Sequence, residues 1–317
     1  MKGSLSINTI LTAGATPVLI DCDPFTYTIN PLEVERMLQR RSNGNGSAAH
    51  ADATAGNEQR SGGGTTVLLA DHLFGQPCEM RTLTQLADAH GLTLIEVAWE
   101  AFGARYDGRQ VGHSGTAVFS FLEGMAINTA EGGMLTTNDA RLAELVRVYA
   151  NNGCDDDGRI VVPGFNYRMP YGTACVATEQ LKLARRYSRP RHHNARELTH
   201  LLSDIRGVVP PMSLPGAEHA YQRYAVRLAR EFPFSVEETR DRLRAREIWA
   251  SCCELQSPYA HPYFREGNLS CGPLPETEAA CRELLFIRLA DQVEHEELVR
   301  IANELKTLST GSAPQSH

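Results

Sequence analysis

The sequence predicts an α/β fold built on a mostly parallel central sheet. Apolar segments at 67–70 and 92–98 flank a helical pattern at 80–90, so strand and helix alternate along the chain. The strand segments are apolar almost throughout, which is typical of parallel strands covered on both faces by helices. A chain of 317 residues is long enough for one large domain and a smaller one.

The N-terminal region predicts a helix, a strand and a second helix. Residues 1–14 have the pattern of a helix, and the apolar stretch 17–20 predicts a short strand. The second helix begins with Asn30 as its N-cap and has a proline in its first turn, with Glu33 placed to complete a capping box. It is expected to end near Arg40, before the next segment changes composition.

Residues 41–64 predict a disordered surface loop. They are rich in Gly, Ser, Ala and Asn and show no apolar periodicity. A segment of this composition buries too little apolar surface to offset the entropy lost on ordering. We therefore expect an insertion between the second helix and the first buried strand.

The middle of the chain predicts further elements of the same domain. Gly91 is placed to end the helix at 80–90. The elements predicted after it are a buried strand at 117–121, a Glu-Gly-Gly turn at 131–133, a strand at 134–137, a helix capped by Asn138 or Asp139, and a helix at 173–187.

The segment Pro190–Asn194 predicts a hinge into a second α/β unit. We expect a large domain at 1–188, a small C-terminal domain at 189–307 and a tail at 308–317. Patterns within the second unit predict a strand at 224–228, a helix at 236–246, a strand at 284–289 and a closing helix at 294–305.

Charge and composition narrow the class of protein. The formal net charge of −7 argues against nucleic acid or an anionic membrane surface as the partner. No apolar run approaches the length of about 18 residues that a membrane span needs, and no secretory signal is predicted. The eight cysteines include no C-x-x-C pair and no zinc-type cluster, so we expect no metal, reduced thiols and a cytoplasmic protein.

Three motifs resemble a known family. They read IEVAWEAFGA at 95–104, FSFLEGMAINTAEGG at 119–133 and FNYRM at 165–169. Together they resemble the nucleotide-sugar aminotransferases of the DegT/DnrJ/StrS type, which are fold-type I enzymes dependent on pyridoxal phosphate (PLP). The resemblance extends from about residue 4 to about residue 305. It implies the PLP-transferase type I, aspartate aminotransferase-like three-layer fold, with a smaller C-terminal α/β domain.

Matched against the family pattern, two positions lack the residues that PLP chemistry needs. The resemblance puts Met125 at the position of the lysine and Val97 at that of the aspartate that pairs with the pyridine nitrogen. A thioether cannot form an imine, and a valine leaves a buried pyridinium without a counter-ion. Glu96 cannot substitute, because neighbouring residues on a strand point to opposite faces. We expect no covalently bound PLP.

The resemblance implies only part of a phosphate cradle. Ser120 and Asn166 match family residues that contact the cofactor phosphate, and Asn166 does so across the interface with a partner subunit. These two residues either keep that role or remain as packing residues of the scaffold. The family's Gly-Thr phosphate turn corresponds to sequence before residue 1, so a truncated cradle is expected.

Other polar residues offer a different chemistry. His72 follows a strand, where open α/β sheets place ligands, and Glu100 falls at a glutamine of the family pattern. A histidine with one or two carboxylates can perform general acid–base catalysis. The other interpretation is a polar pocket without activity. The catalytic candidates are His72, His113 and Glu100, with Gln76, Glu123 and Glu131 as polar neighbours.

These observations predict a degenerate member of the sugar aminotransferase family, without ordinary PLP transamination. The alternative is a divergent enzyme of secondary-metabolite or polysaccharide biosynthesis. Its substrate would be an amino or keto sugar, carried on a nucleotide, or a related small metabolite. The reaction would use either acid–base chemistry without a lysine or residual PLP. A fragment without stable function is a third hypothesis. The segment Asn166–Arg168 matches the one that reaches the partner subunit, so we expect a homodimer.

Overall fold

A computed structural model describes residues 2–42, 66–253, 262–263, 272–289 and 293–311. The predicted insertion at 41–64 lies outside these ranges except for its first two residues. The helices are α1 Lys2–Thr12, α2 Pro31–Ser42, α3 Met80–His90, α4 Ala140–Ala150, α5 Tyr171–Leu202, α6 Val236–Arg244, α7 Pro275–Glu283 and α8 His295–Ser309. The strands are β1 Val67–Asp71, β2 Thr93–Val97, β3 Arg105–Tyr106, β4 Arg109–Gln110, β5 Thr116–Ser120, β6 Gly133–Thr136, β7 Val208–Val209, β8 Ala217–Glu218, β9 Tyr224–Leu228, β10 Ala250–Cys252 and β11 Leu284–Ile287.

The first sheet has the strand order β1-β2-β5-β6. β1, β2 and β5 are parallel, and β6 runs antiparallel to β5. The predicted α/β fold with a mostly parallel sheet is therefore confirmed. Because the three parallel strands share one direction, their C-terminal ends at Asp71, Val97 and Ser120 meet at one edge of the sheet.

Helices α2 and α3 pack against this sheet at β1. Their apolar faces contribute Val34, Leu38 and Leu83 to a buried cluster with Leu68 of β1. α3 ends at Gly91, which has φ 62° in the left-handed region, as helix C-termini require. The predicted helix at 80–90 and its glycine stop are both confirmed.

The second sheet is antiparallel, with the order β10-β11-β9-β7. It packs on α5 and α8, and its core includes Leu198 of α5, Tyr224 and Val226 of β9, and Leu305 of α8. The strand predicted at 224–228 is confirmed. α8 continues beyond the predicted end at residue 305, because Leu308 in its last turn is also buried.

A small third sheet joins the two regions of the chain. The hairpin of β3 and β4 pairs with β8, so that Arg105 lies opposite Glu218 and Tyr106 opposite Ala217. These strands have two residues each, which is too short for a recognisable apolar alternation. They nevertheless tie residues before β5 to residues just before β9.

The strand predicted at Pro17–Ile20 is wrong, since the structure assigns no strand to these residues. Leu19 packs against Ile7 of α1, and Ile20 packs against the cluster of α2 and β1. The apolar run therefore reflects burial without strand pairing.

The helix cap predicted at α2 is confirmed only in part. The Asn30 side chain accepts a hydrogen bond from the Leu32 N–H at 3.0 Å, as an N-cap should. The Glu33 side chain forms an ion pair with Arg36 one turn further on, in place of the expected capping-box bond to Asn30.

Helix α5 runs through the predicted hinge. It continues from Tyr171 to Leu202 with Pro190 inside it, whereas the sequence predicted an end at residue 187. A proline inside a helix costs about 3 kcal/mol, and burial of Ala195, Leu198 and Leu202 in the second half offsets that cost. None of the helices in the described ranges, α5 included, is long and apolar enough to cross a membrane.

Helix α7 was not predicted, and its N-terminus is capped from far along the chain. The Asp21 carboxylate accepts hydrogen bonds from the backbone N–H groups of Glu276 and Thr277, both at 2.9 Å, and from the Thr277 hydroxyl at 2.6 Å. A carboxylate at this position satisfies free N–H groups and interacts favourably with the helix dipole. The cap joins the N-terminal region to the antiparallel sheet.

Candidate active site

The candidate site lies at the edge where β1, β2 and β5 end. His72 follows β1, Glu96 and Val97 end β2, and Ser120 ends β5. Strand pairing fixes the positions of these residues along the strand direction, because Asp71 lies opposite Val97 and Val97 lies opposite Val118. Open α/β sheets bind ligands at this edge.

His72 is fully buried, and both of its ring nitrogens are engaged. Nδ1 accepts a hydrogen bond from the Cys78 N–H at 2.9 Å, and Nε2 lies 3.1 Å from Glu96 Oε2. Because Nδ1 is an acceptor, the ring proton is on Nε2 and is donated to the carboxylate. These two bonds make His72 a link between the end of β1 and the end of β2.

Glu96 is held by a second donor. Its Oε2 also accepts a hydrogen bond from the Gly112 N–H at 2.9 Å, which brings the chain after β4 onto the end of β2. Val97, the next residue, is buried on the other face of the strand. Glu96, adjacent in sequence to the predicted aspartate position Val97, therefore lies on the other face of the strand and is paired with His72.

Glu100 anchors a turn and an arginine. Its Oε2 accepts from the Phe74 N–H at 2.8 Å, and its Oε1 accepts from Arg223 Nε at 2.8 Å. Phe74 has φ 62° and ψ 1°, an unfavourable conformation for a non-glycine residue that this hydrogen bond helps to hold. Arg223 also lies over the Phe286 ring, 5.2 Å from its centroid, so Glu100 connects the β1 turn to the antiparallel sheet.

Gln76 contributes a buried polar atom to the same turn. Its Nε2 donates to the Pro77 carbonyl at 3.0 Å, while its Oε1 has no hydrogen-bond partner among the described residues. The neighbouring Gly75 has φ 96°, and a Cβ there would lie 3.0 Å from Ala220 Cβ and from the Glu100 carbonyl oxygen. Glycine is therefore required where the segment after β8 crosses the turn.

Met125 lies in the loop between β5 and β6 and is half-buried. Its backbone N–H donates to the Leu122 carbonyl at 3.1 Å. The Gln222 side chain donates to the Gly124 carbonyl, and Arg191 donates to the Gln222 side-chain oxygen at 3.2 Å. The loop that contains Met125, the predicted lysine position, is thus tied to the segment before β9, a contact that the sequence did not predict.

The Glu-Gly-Gly turn has a steric explanation. A Cβ on Gly133 would lie 2.7 Å from the Phe119 carbonyl oxygen, which is closer than real Cβ atoms approach. The pairing of Ser120 with Gly133 therefore needs glycine at this position. Glu131 is exposed, so the turn places its side chain at the surface.

The two predicted phosphate-contact residues differ in environment. Ser120 is half-buried, and its hydroxyl oxygen accepts from the Leu122 N–H at 3.3 Å. Asn166 is exposed, and its side-chain oxygen accepts from Arg168 Nε at 3.0 Å. Ser120 therefore lies at the candidate edge, whereas Asn166 lies on the surface of the chain.

His113 lies beside the start of β5, one residue after Gly112. Its carbonyl accepts a hydrogen bond from Asn138 Nδ2 at 3.2 Å, and Asn138 follows β6. Because β6 is antiparallel to β5, this contact is located where β5 begins. The structure thus brings His72, Gln76 and Glu100 to one turn, whereas the exposed His113 is linked to His72 through its neighbour Gly112, which binds Glu96. Glu123 is exposed.

A buried histidine outside the predicted candidates lies beyond this turn. His219 is stacked on Tyr221, with ring centroids 4.2 Å apart, and its Nδ1 accepts from the Tyr221 N–H at 2.8 Å. Burial, together with the nearby His192, lowers the pKa of His219 to about 3. Burial also lowers the pKa of His192, so both rings are neutral near neutral pH. No sequence pattern marked either residue as buried.

The side chains at this edge do not fit PLP as the family binds it. The described lysine side chains are Lys182, which pairs with Glu179 at 2.6 Å, and Lys306 on the exposed side of α8. Glu96 and Glu100, which flank Val97 in the sequence, are already bonded to His72 and Arg223. Asp71 lies opposite Val97 on the neighbouring strand, and its carboxylate accepts a hydrogen bond from Trp99 Nε1 at 3.0 Å. Among the described residues, no group of three or more His, Cys, Asp or Glu side chains is arranged to hold a metal ion.

The fold is that of an α/β protein of the PLP-transferase type I class. The family model for the DegT/DnrJ/EryC1/StrS aminotransferase family matches residues 5–306, and the chain belongs to that family. The predicted family is therefore confirmed, and with it the fold.

Individual relatives support this assignment. The chain is 31% identical over 270 residues to GDP-perosamine synthase of Caulobacter vibrioides, covering 81% of this chain and 65% of that protein. It is 28% identical over 292 residues to the pleiotropic regulatory protein of Geobacillus stearothermophilus, covering 91% and 71%. The crystal structure of S. venezuelae DesV in complex with a ketimine intermediate superposes with a TM-score of 0.81 at 27% identity, covering 96% and 75%.

Proposed function

We propose that this chain is a degenerate sugar aminotransferase that does not perform ordinary PLP transamination. The proposal rests on the resemblance, which puts Met125 and Val97 at the predicted positions of the imine lysine and the ring-nitrogen aspartate. The structure adds support, because Glu96 and Glu100 each already have two hydrogen-bond donors. Neither carboxylate is positioned to replace the aspartate without breaking those bonds.

A nucleotide sugar is the ligand class that we propose for the retained scaffold. The support is family membership and the printed name of the relative GDP-perosamine synthase. A protein that binds such a sugar without turning it over would act as a binding or scaffolding protein in the cytoplasm. The relative named as a pleiotropic regulatory protein is consistent with a role of this kind in the family.

The competing proposal is a divergent enzyme using His72 or Glu100 as an acid–base group. His72 is fully buried, and its Nδ1 is occupied by the Cys78 N–H. Glu100 accepts from Phe74 and Arg223. A general base must reach the proton that it removes. Either residue would therefore have to break one of these hydrogen bonds before it could contact a substrate. These contacts favour the proposal of a degenerate aminotransferase over that of a divergent enzyme.

We expect the purified protein to form no covalent adduct with PLP. Internal aldimines absorb in the visible and are trapped on lysine by borohydride, whereas Met125 has no amine. The measurement is the absorbance spectrum after incubation with PLP, followed by borohydride reduction and peptide mass mapping. Met125→Lys should still give no transamination, because Val97 leaves the ring nitrogen without a carboxylate; Met125→Leu is the matched control. A stable adduct on any lysine of the unsubstituted chain would refute the proposal.

The surface around Asn166 supports the proposed homodimer. Phe165 and Tyr167 stack with centroids 4.9 Å apart, although they are 56% and 71% exposed. α4 has no buried residue, and its Leu145 is exposed. Clustered exposed apolar side chains of this kind mark interaction sites. Other exposed apolar residues nearby are Ile160, Val161, Tyr171 and Val176.

We therefore expect a two-fold dimer at tens of micromolar, measured by light scattering. Tyr167→Asp should shift the protein to monomer, because a charge in a desolvated interface is unfavourable. Met212→Asp is the control, since Met212 is also an exposed apolar residue but belongs to the segment after β7. A monomeric unsubstituted protein, or equal effects of the two substitutions, would contradict the dimer.

The predicted domains at 1–188 and 189–307 remain a proposal. Its support is the separation of the mixed sheet from the antiparallel sheet, each with its own core. The boundary would fall inside α5, so this helix would belong to both domains.

A further inference from the structure

The thiols of Cys253 and Cys281 are in direct contact. The largest cause that lowers the pKa of Cys281 is a hydrogen bond with the side chain of Cys253, which places the two thiols together although they are far apart in the sequence. Cys253 directly follows β10, and Cys281 lies in the last turn of α7. Both residues are half-buried, so a small reagent can reach the pair.

Strand pairing explains the contact. Cys252 lies opposite Leu285 in the antiparallel register of β10 and β11, and the Cys253 N–H donates to the Leu284 carbonyl at 3.1 Å. α7 leads into β11 without a loop, so Leu284 directly follows the helix. Cys281 is therefore one helical turn from the backbone atom that Cys253 binds, a distance of about 5 Å along the helix axis. Both backbones are held by the sheet.

Cys252, the immediate neighbour of Cys253, has a different partner. Its sulfur accepts a hydrogen bond from Arg240 Nη1 of α6 at 3.3 Å. Adjacent residues on an extended strand point to opposite faces, so Cys252 faces α6 and Cys253 faces α7. The chain thus offers a natural control, since two cysteines adjacent in sequence differ in whether a second thiol is within reach.

We propose that Cys253 and Cys281 are a modification site, at which a low-molecular-weight disulfide such as oxidised glutathione produces a reversible intramolecular bridge. The Cys281 thiolate attacks the reagent, forms a mixed disulfide and releases one thiol. The Cys253 thiolate then attacks the Cys281 sulfur and releases the second thiol. Two protein thiols are oxidised to one disulfide, the reagent is reduced to two thiols, and the protons pass to the released thiolates.

The electrostatic surroundings identify Cys281 as the first nucleophile. The hydrogen bond from Cys253 is the largest cause that lowers the pKa of Cys281, and Arg282 lowers it further. Burial and Glu278 oppose this shift without cancelling it. A larger thiolate fraction speeds attack on a disulfide.

The bridge would form beneath the candidate site. Cys253 packs against the buried cluster of Phe74, Leu284 and Phe286, and the rings of Phe74 and Phe286 lie 5.0 Å apart. Phe74 is the residue whose N–H binds Glu100. Oxidation therefore acts on packing directly connected to the turn that holds His72 and Gln76.

The test is to equilibrate the full chain with oxidised glutathione, block the remaining thiols and digest it with trypsin without reduction. The sequence places Cys252 and Cys253 in one peptide, 247–265, and Cys271 and Cys281 in another, 266–282. Cys271 lies outside the described residues. We expect these peptides to be linked, with a mass about 2 Da below the sum of the two thiol forms, and to separate on addition of dithiothreitol.

Cysteine-to-serine variants identify which cysteine of each linked peptide forms the bridge. The Cys252→Ser and Cys271→Ser variants, and their combination, should retain the linkage, while Cys253→Ser or Cys281→Ser should reduce it to background. Glutathione on the exposed Cys175 provides the internal measure that the oxidant was active. The proposal is overturned if Cys175 is modified and the peptides stay unlinked. It is equally overturned if the linkage survives Cys281→Ser or disappears in Cys252→Ser.

Discussion

Replacing Glu100 with alanine should lower the free energy of unfolding by about 3 kcal/mol. The Glu100 side chain is 1% exposed and accepts from Phe74 N–H and Arg223 Nε. Its removal leaves the Phe74 N–H buried without a partner and separates Arg223 from its counter-ion. Breaking a buried pair costs about 3–5 kcal/mol in general, and the Arg223 side chain, 36% exposed, regains water. The lower end of the range therefore applies.

Chemical denaturation of matched variants tests this expectation. Glu100→Gln keeps an acceptor for Phe74 and should cost less, about 1–2 kcal/mol, because only the charge of the pair is lost. Glu218→Ala is the control, since the pair of Arg105 with Glu218 at 3.9 Å is largely exposed and is expected to contribute at most about 1 kcal/mol. Equal losses for Glu100→Ala and Glu218→Ala would show that the buried contacts are not what stabilises the turn.

The same residue shows what sequence reasoning could predict about this site. Glu100 was selected because it occupies a polar position of a family motif and follows a buried strand. Its partners Phe74 and Arg223 come from distant parts of the chain, and no local spacing relates them. His72 and Glu96 are likewise separated by 24 positions, and their pairing depends on the parallel register of β1 and β2. The residues were therefore predictable, while their structural roles were not.

The fold was predictable where periodicity and stop signals agree. The helix of residues 80–90 has an apolar face and ends at Gly91, and both features appear in α3. The run Pro17–Ile20 has strand-like composition, but a strand also needs a neighbour to pair with, which composition does not encode. α7 has a proline in its first turn and acidic residues after it, but Leu274 at its N-cap position has no side chain that can cap a helix. The capping carboxylate comes from Asp21, far away in the sequence, so local signals do not predict this helix.

Tertiary packing also overrode a local signal at Pro190. A proline is a strong helix breaker in isolation, and the sequence alone favoured a hinge. The second half of α5 is held by Leu198 and Leu202 in the core beneath α8. His113 lies beside the start of β5, and its neighbour Gly112 binds Glu96 of β2, a contact that no local pattern predicted.

The stability of the protein should fall as the pH decreases from 7 to 5, by about 2 kcal/mol from His219 alone. The pKa of His219 is lowered to about 3 in the folded protein because the ring is buried and lies near His192. In the unfolded chain its pKa returns to the ordinary value for histidine, near 6.5. Below that value the unfolded state binds a proton that the folded state does not, so unfolding becomes more favourable. The stabilisation is therefore complete above pH 6.5 and decreases towards pH 3.

Denaturation curves at several pH values distinguish this residue from other titrating groups. His219→Asn keeps a side-chain acceptor for the Tyr221 N–H, the bond that Nδ1 now accepts at 2.8 Å, but does not titrate in this range. The variant should be less stable near pH 7 because the stacking on Tyr221 is lost, and its stability should change less between pH 7 and 5. His113→Asn is the matched control, because the same substitution there removes an exposed histidine rather than a buried one. A variant at 219 that keeps the full pH dependence would show that His219 accepts its proton in the folded state, which the buried stack on Tyr221 opposes.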